Sequence, residues 1–174
     1  LLDILSRSTK PNVLLVGEPG AGKETIVEHL ASLMVTDQVP PQLFDKRLIA
    51  FDIGGLVSGA DQGEIQKRVE QAFEEIMRAG NAVLYIPEIH NLSRTAGPRQ
   101  ITAAHTVIPL ILSNDFPTIG TTFPKEFKQF IETDSQFRNA LEVVRVDEIS
   151  EEEAELVLAY ASIVLEQKYK VKIT

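Results

Sequence analysis

The chain has 174 residues, 44% of them hydrophobic and 24% charged, the balance of one globular domain with a sizeable core and not of a disordered or low-complexity chain. Seventeen Lys and Arg against 25 Asp and Glu leave a net charge of -8; with no basic stripe, that surface repels phosphate backbones and excludes nucleic acid as the expected partner. Cysteine is absent, which excludes disulfides and thiolate metal sites and fits a reducing compartment such as the cytoplasm.

In chain order, Asn12 to Val16 (NVLLV) predicts a buried strand, and a glycine-rich turn follows it. Gly22 to about Met34 predicts a helix, and Arg47 to Asp52 a second strand. Glu64 to Ala79 places Ile65, Val69, Ala72, Phe73 and Ile76 at the spacing of one helical face. Asn81 to Ile86 is the third predicted strand. Thr106 to Leu112 predicts a helix in which Pro109 marks a first-turn position or a kink. Pro117 to Thr121 is the fourth strand, Lys125 to Thr133 a short helix, and Glu142 to Val146 the fifth strand. Ser150 caps a last helix, with Glu153 completing a capping box. Strands apolar on both faces that alternate with helices predict an α/β fold: a parallel sheet covered on both sides. No apolar run approaches the roughly 18–20 residues of a membrane span. His29, His90 and His105 are too dispersed for a paired metal site. The chain opens on Leu1 with no leader pattern, and is expected to be a piece of something longer.

Gly17-Glu18-Pro19-Gly20-Ala21-Gly22-Lys23 joins the first strand to the first helix, the context a G-x-x-x-x-G-K phosphate loop requires. Glycines let backbone N–H groups face phosphate oxygens. The helix N-terminus adds positive potential, and Lys23 supplies a charge for the outer phosphates. The competing reading is a glycine-rich turn with no ligand, against which strand, helix and lysine stand together. The next position calls for a Mg²⁺-ligating Ser or Thr and holds Glu24. That carboxylate either takes the metal directly or repels the triphosphate. Thr25 lies about 100° further round the helix and is a poor substitute.

From this loop onward the chain resembles the first AAA+ module of the Clp-type unfoldases and disaggregases, along nearly its whole length. Ser8-Thr9-Lys10-Pro11-Asn12 precedes the first strand in the manner of that family, and residues 17–23 are its form of the loop. Val39-Pro40, Leu43 and Asp45-Lys46-Arg47 resemble its lead into the second strand. Residues 52–60 with Gly63-Glu64 resemble its pore-loop region, and Ile86-Pro87-Glu88-Ile89-His90 its Walker B segment. Thr118-Ile119-Gly120-Thr121-Thr122 resembles the strand leading to its sensor, and residues 130–134 the helix after it. The resemblance implies a P-loop NTPase AAA+ core with a five-stranded parallel sheet of order 5-1-4-3-2. Residues 1–149 would form the α/β nucleotide-binding subdomain, and 150–174 the start of a helical lid subdomain. It implies ATP or ADP as ligand at Gly17, Glu18, Pro19, Gly20, Ala21, Gly22, Lys23, Glu24 and Thr25. Other AAA+ subunits or a second AAA+ module are the implied partners, with protein clients.

The departures from the family pattern fall on its catalytic positions. Pro87 stands where an aspartate would hold Mg²⁺, while the adjacent catalytic glutamate survives as Glu88. Phe123 replaces the sensor threonine, with Thr122 one residue early. The paired arginines fall on Asn139 and Ala140, one position from Arg138. The pore loop reads Asp61-Gln62-Gly63 without its aromatic. With Glu24, five functional positions are altered. The expectation is a module that keeps fold and phosphate loop and has lost hydrolysis, serving assembly or regulation. Two alternatives stand beside it: a working ATPase whose Glu24 and Glu88 jointly hold Mg²⁺, and a nucleotide-free interaction scaffold.

Of the remaining polar residues, His90 is read as a loop residue beside Glu88, and His29 as a surface or partly packed side chain. Glu151-Glu152-Glu153 complement a helix dipole. Arg94 and Arg99 are solvated loop charges, and Phe127, Phe130 and Phe137 are core.

Overall fold

The computed structural model of the chain describes residues 1–52, 55, 62–94 and 103–173. Its elements are α1 (Leu2–Leu5), β1 (Asn12–Val16), α2 (Lys23–Val35), β2 (Arg47–Ala50), α3 (Gln62–Ala79), β3 (Ala82–Ile86), α4 (Asn91–Arg94), α5 (Ala103–Leu112), β4 (Thr118–Thr122), α6 (Pro124–Glu126), α7 (Ser135–Ala140), β5 (Glu142–Arg145) and α8 (Glu151–Tyr169). A short turn of helix, Pro41–Leu43, precedes β2.

The strands form one parallel sheet of order β2-β3-β4-β1-β5, the expected order read from its other edge. Every residue of β1 and β4 is buried, whereas β2 and β5 at the edges are half-buried or exposed. Alternation along the strands divides the apolar residues between two layers. Leu14, Val16, Leu84 and Ile86 pack with Val69 and Phe73 of α3, Val107 and Ile111 of α5 and Phe137 of α7. Val13, Leu15, Val83 and Ile119 pack on the opposite face with Ile4, Leu5, Val27, Leu30 and Met34.

Asn12 pins the start of this arrangement. Its Nδ2 donates to Ile111 O at 3.0 Å and to Asn114 Oδ1 at 3.2 Å, and its Oδ1 accepts Thr118 N–H at 3.1 Å. The first residues of β1 and β4, which pair in register, are thereby tied to the end of α5.

Two local expectations are corrected. Pro109 lies inside α5, past the first turn, which removes the first-turn alternative of its two readings. The helix continues regardless, with Ser113 N–H donating to Pro109 O at 3.1 Å; the proline's missing N–H costs one intrahelical bond. The segment expected as one helix over 125–133 instead begins as α6 and widens, with Glu132 N–H reaching Phe127 O, five residues back, at 2.8 Å. Asp134 then caps α7, its Oδ1 accepting the N–H groups of Gln136 and Phe137. Phe137 is core as expected, while Phe127 and Phe130 are only partly buried against it.

The capping box of α8 forms: Ser150 Oγ accepts Glu153 N–H, and Glu153 Oε2 accepts Ser150 N–H. No residue of α8 is buried. The expected pore-loop segment, at 53–54 and 56–61, lies outside the described residues, as does Arg99.

Candidate functional site

The loop between β1 and α2 is held at its entry by three strands. Gly17 N–H donates to Thr122 O at the end of β4, and Val146 N–H, just past β5, donates to Val16 O. A methyl group on Gly17 would collide with the Val146 carbonyl oxygen, so this position must be glycine. Ala21 N–H closes the turn on Glu18 O at 3.1 Å. Gly20 (φ 86°) and Gly22 (φ 88°) take left-handed conformations that L side chains adopt only with strain. The first intrahelical bond of α2 is Ile26 N–H to Gly22 O. The N–H groups of Lys23, Glu24 and Thr25 precede it and have no carbonyl within the helix to reach. Loop, amides and helix dipole together make the cradle that phosphate chemistry requires.

Lys23 is only 7% exposed. Its Nζ donates to Gly17 O and Glu18 O, both at 2.8 Å, and stands 4.6 Å from the centre of the Phe123 ring. Burial lowers its pKa, and the charges of Glu24, Glu18 and Glu88 oppose that shift.

Across from the loop, residues 87–90 turn sharply, with Glu88 at φ 46°. Glu88 N–H donates to Thr121 Oγ1 at 3.1 Å, and Ile89 N–H to Thr121 O at 2.9 Å. The exposed Glu88 carboxylate accepts Asn91 Nδ2 at 3.0 Å. His90, read as a loop residue, lies in the turn and is buried there, its Nδ1 sharing a 2.9 Å hydrogen bond with the buried Thr122 hydroxyl. Its ring also faces Phe123 at 5.8 Å. His29 is exposed, as expected.

A cavity of about 280 Å³ separates these two walls. Pro19, Gly20, Gly22, Lys23, Glu24 and Thr25 form one side, and Glu88 with residues 121–123 the other. On the far side of the loop a larger groove, about 1200 Å³, runs between α1, α2 and residues 146–149. Ala21 lines this groove and not the small cavity. Gly17 and Glu18 contribute carbonyls to Lys23. Seven of the ten sequence-predicted site residues thus line the small cavity, Gly17 and Glu18 act behind it through Lys23, and Ala21 faces the other groove. Phosphate fits this donor set. A metal ion finds less: Pro87 offers no ligand, and among the described residues no three His, Cys, Asp or Glu converge on a metal position. Arg138 and Asn139 are exposed on α7, while Ala140 is buried in the core.

The sequence reading missed the Lys23–Phe123 and His90–Thr122 contacts. The signal was the alternation of β4, which sends Ile119, Thr121 and Phe123 toward α2 and Thr122 to the opposite face.

A parallel sheet of this order, with a glycine loop running from β1 into a helix, defines a P-loop NTPase fold. Residues 13–122 match the AAA family, described as "ATPase family associated with various cellular activities", and the chain belongs to that family. It is 38% identical to the ATP-dependent Clp protease ATP-binding subunit ClpC of Staphylococcus aureus over 152 residues, covering 86% of this chain and 19% of that protein. It is 36% identical to the chaperone protein ClpB of Aquifex aeolicus, covering all of this chain and 18% of that protein. Among solved structures it superposes on the S. cerevisiae Hsp104-ADP complex with a TM-score of 0.86 and 29% identity, over 99% of this chain and 24% of that one. The chain is thus homologous to AAA+ modules of ClpC, ClpB and Hsp104, and spans about a fifth of the curated relatives it matches.

Proposed function

We propose that this chain is a nucleotide-responsive assembly module of a Clp-type protein-remodelling machine, in which the phosphate loop is kept and hydrolysis is lost. The observation that carries this reading is the content of the small cavity. Where phosphoryl transfer needs a metal-holding acid and a polar sensor beside the outer phosphates, the cavity presents Glu24, Phe123 and a Glu88 preceded by Pro87. The N–H cradle supports binding of ATP or ADP through residues 17–25, and the Hsp104 relative is itself an ADP complex. Without a metal ligand at 87, Mg²⁺ contributes little. Residues 1–149 form the nucleotide-binding unit and α8 begins a lid. Neighbouring AAA+ subunits, or a second AAA+ module, supply the work on protein clients.

One observation favours a second reading, an active ATPase: Glu24 and Glu88 line the same cavity, and two carboxylates facing one space are the start of a cation site. ATP turnover decides between them. An arginine finger alone is worth about 10³–10⁵ in rate, so a site lacking it, the acid and the sensor is expected to match a Lys23→Ala control. Turnover clearly above that control establishes the active reading.

A further inference from the structure

We propose that Phe123 sets the phosphate specificity of this site by clasping Lys23 against its own loop, so that the third phosphate of a nucleoside triphosphate adds no affinity over the diphosphate. The proposal rests on the nucleotide reading above and deepens it.

An ammonium group has three N–H donors and no acceptor. Two of those on Lys23 are spent on Gly17 O and Glu18 O. Its remaining side meets the Phe123 ring at 4.6 Å, inside the roughly 6 Å reach of a cation–π contact. Two carbonyls and a ring from the protein itself thus hold the cation against its own loop. Burial makes the contact stronger than it would be in water, because the ring competes with few solvent dipoles.

The ring is itself fixed. Extended backbone at Phe123 (φ −102°, ψ 156°) continues the alternation of β4 and keeps the side chain on the Lys23 face. Phe123 O accepts Phe127 N–H at 2.8 Å, and the His90 ring packs against the Phe123 ring in a tilted arrangement with centroids 5.8 Å apart. The backbone amides of the loop and of the α2 N-terminus take no part in the clasp. A phosphate can reach them while Lys23 stays engaged. An outer phosphate that calls on the lysine must first separate it from the ring and two carbonyls, in a cavity that Glu24 and Glu88 already make negative.

The test uses the whole 174-residue chain, with ADP and ATP titrated calorimetrically in the presence of a metal chelator. Wild type is expected to bind the two with nearly equal affinity. Phe123→Leu keeps apolar bulk and removes the π face; it is expected to tighten ATP relative to ADP by about ten-fold, the factor that 1.4 kcal/mol represents and within the range of a desolvated cation–π contact. Phe123→Tyr keeps the ring and is expected to behave as wild type. A second measurement needs no nucleotide. Ring currents are expected to shift the Lys23 Hε resonances upfield in wild type and Phe123→Tyr, and not in Phe123→Leu. An unshifted Lys23 in wild type overturns the clasp, and equal changes for ADP and ATP in Phe123→Leu overturn the specificity role. Failure of every variant to bind either nucleotide, with the shift intact, overturns the nucleotide reading itself and the specificity role with it.

Discussion

His90 Nδ1 and Thr122 Oγ1 lie 2.9 Å apart, both residues buried, and join the turn after β3 to the last residue of β4. Neighbouring Thr121 uses its own hydroxyl on Glu88 N–H. Two adjacent threonines thus hold the turn from opposite faces of one strand. Removing one partner of a buried hydrogen bond leaves the other desolvated, at a cost of about 1–3 kcal/mol. We predict that Thr122→Val, which keeps the shape, lowers the unfolding free energy by about that amount, and that Thr122→Ser recovers much of it. Equilibrium denaturant unfolding measures both. A valine variant as stable as wild type would show that the hydroxyl contributes nothing.

Gly17 and Gly20 should fail for different reasons when changed to alanine. At Gly17 the added methyl meets the Val146 carbonyl oxygen, part of a backbone that cannot swing aside. At Gly20 no atom lies within 4 Å, and the difficulty is the left-handed conformation alone. We predict a loss of about 1–3 kcal/mol at Gly17 from overpacking and about 1–2 kcal/mol at Gly20 from backbone strain. Backbone amide shifts report the difference: the Gly17 variant perturbs residues around Val146 and β5, and the Gly20 variant leaves them in place. Matching perturbation patterns would refute the steric account.

Glu24 places a carboxylate where phosphates approach α2. Two unit charges about 4 Å apart interact by roughly 4 kcal/mol at an effective dielectric of 20; solvent screening at this exposed position reduces that figure. Even reduced, it rivals the roughly 1.5–3 kcal/mol of one hydrogen bond to a charged group. We predict that Glu24→Thr tightens ATP and ADP, and that Mg²⁺ dependence appears only when Pro87→Asp is added. Calorimetry on wild type, the single and the double variant tests this. Weaker binding in Glu24→Thr with Mg²⁺ present would identify Glu24 as a working metal ligand.

The start of α8 should respond to acid. The Glu153 carboxylate accepts the Ser150 N–H and hydroxyl, which holds its pKa below the ordinary value. A depressed carboxylate pKa contributes stability above the unfolded value and loses it as pH falls through the folded one. With no residue of α8 buried, little else steadies that turn. We predict fraying of residues 150–153 as pH falls below about 4, the ordinary glutamate range, and a Glu153→Gln variant without that step. Amide hydrogen exchange of Ala154, whose N–H donates to Ser150 O, follows the transition.

The parts of the fold legible in the sequence are those where one short stretch carries the whole signal. Val13 to Val16 and Val83 to Leu84 are apolar on both faces, so position in the sheet can be read from composition alone. The edge strands read one or two residues too long, to Asp52 and Val146; Phe51 N–H and Val146 N–H still donate to Tyr85 O and Val16 O, so pairing fades past the strand ends with no change of residue type to mark the boundary. The helices Leu2–Leu5, Asn91–Arg94 and Ser135–Ala140 span fewer than two turns and show too little period to detect. The phosphate loop was legible because its residues are contiguous. Lys23 and Phe123 meet across a hundred positions of chain, and only the pairing of β1 with β4 brings them together.

That pairing gives Asn12 an influence well beyond its own neighbourhood. Side chains along β4 follow parity: Ile119 packs in the layer with α2, and the Thr122 hydroxyl turns to His90 on the other face. Asn12 fixes where the count begins by gripping Thr118 N–H. Slipping β4 by one residue would set Thr122 in front of the lysine and turn Phe123 toward the opposite layer. The choice between a hydroxyl and an aromatic ring at the phosphate loop is therefore a matter of counting. It is settled at Thr118, four residues before the hydroxyl and five before the ring, at an amide that touches neither.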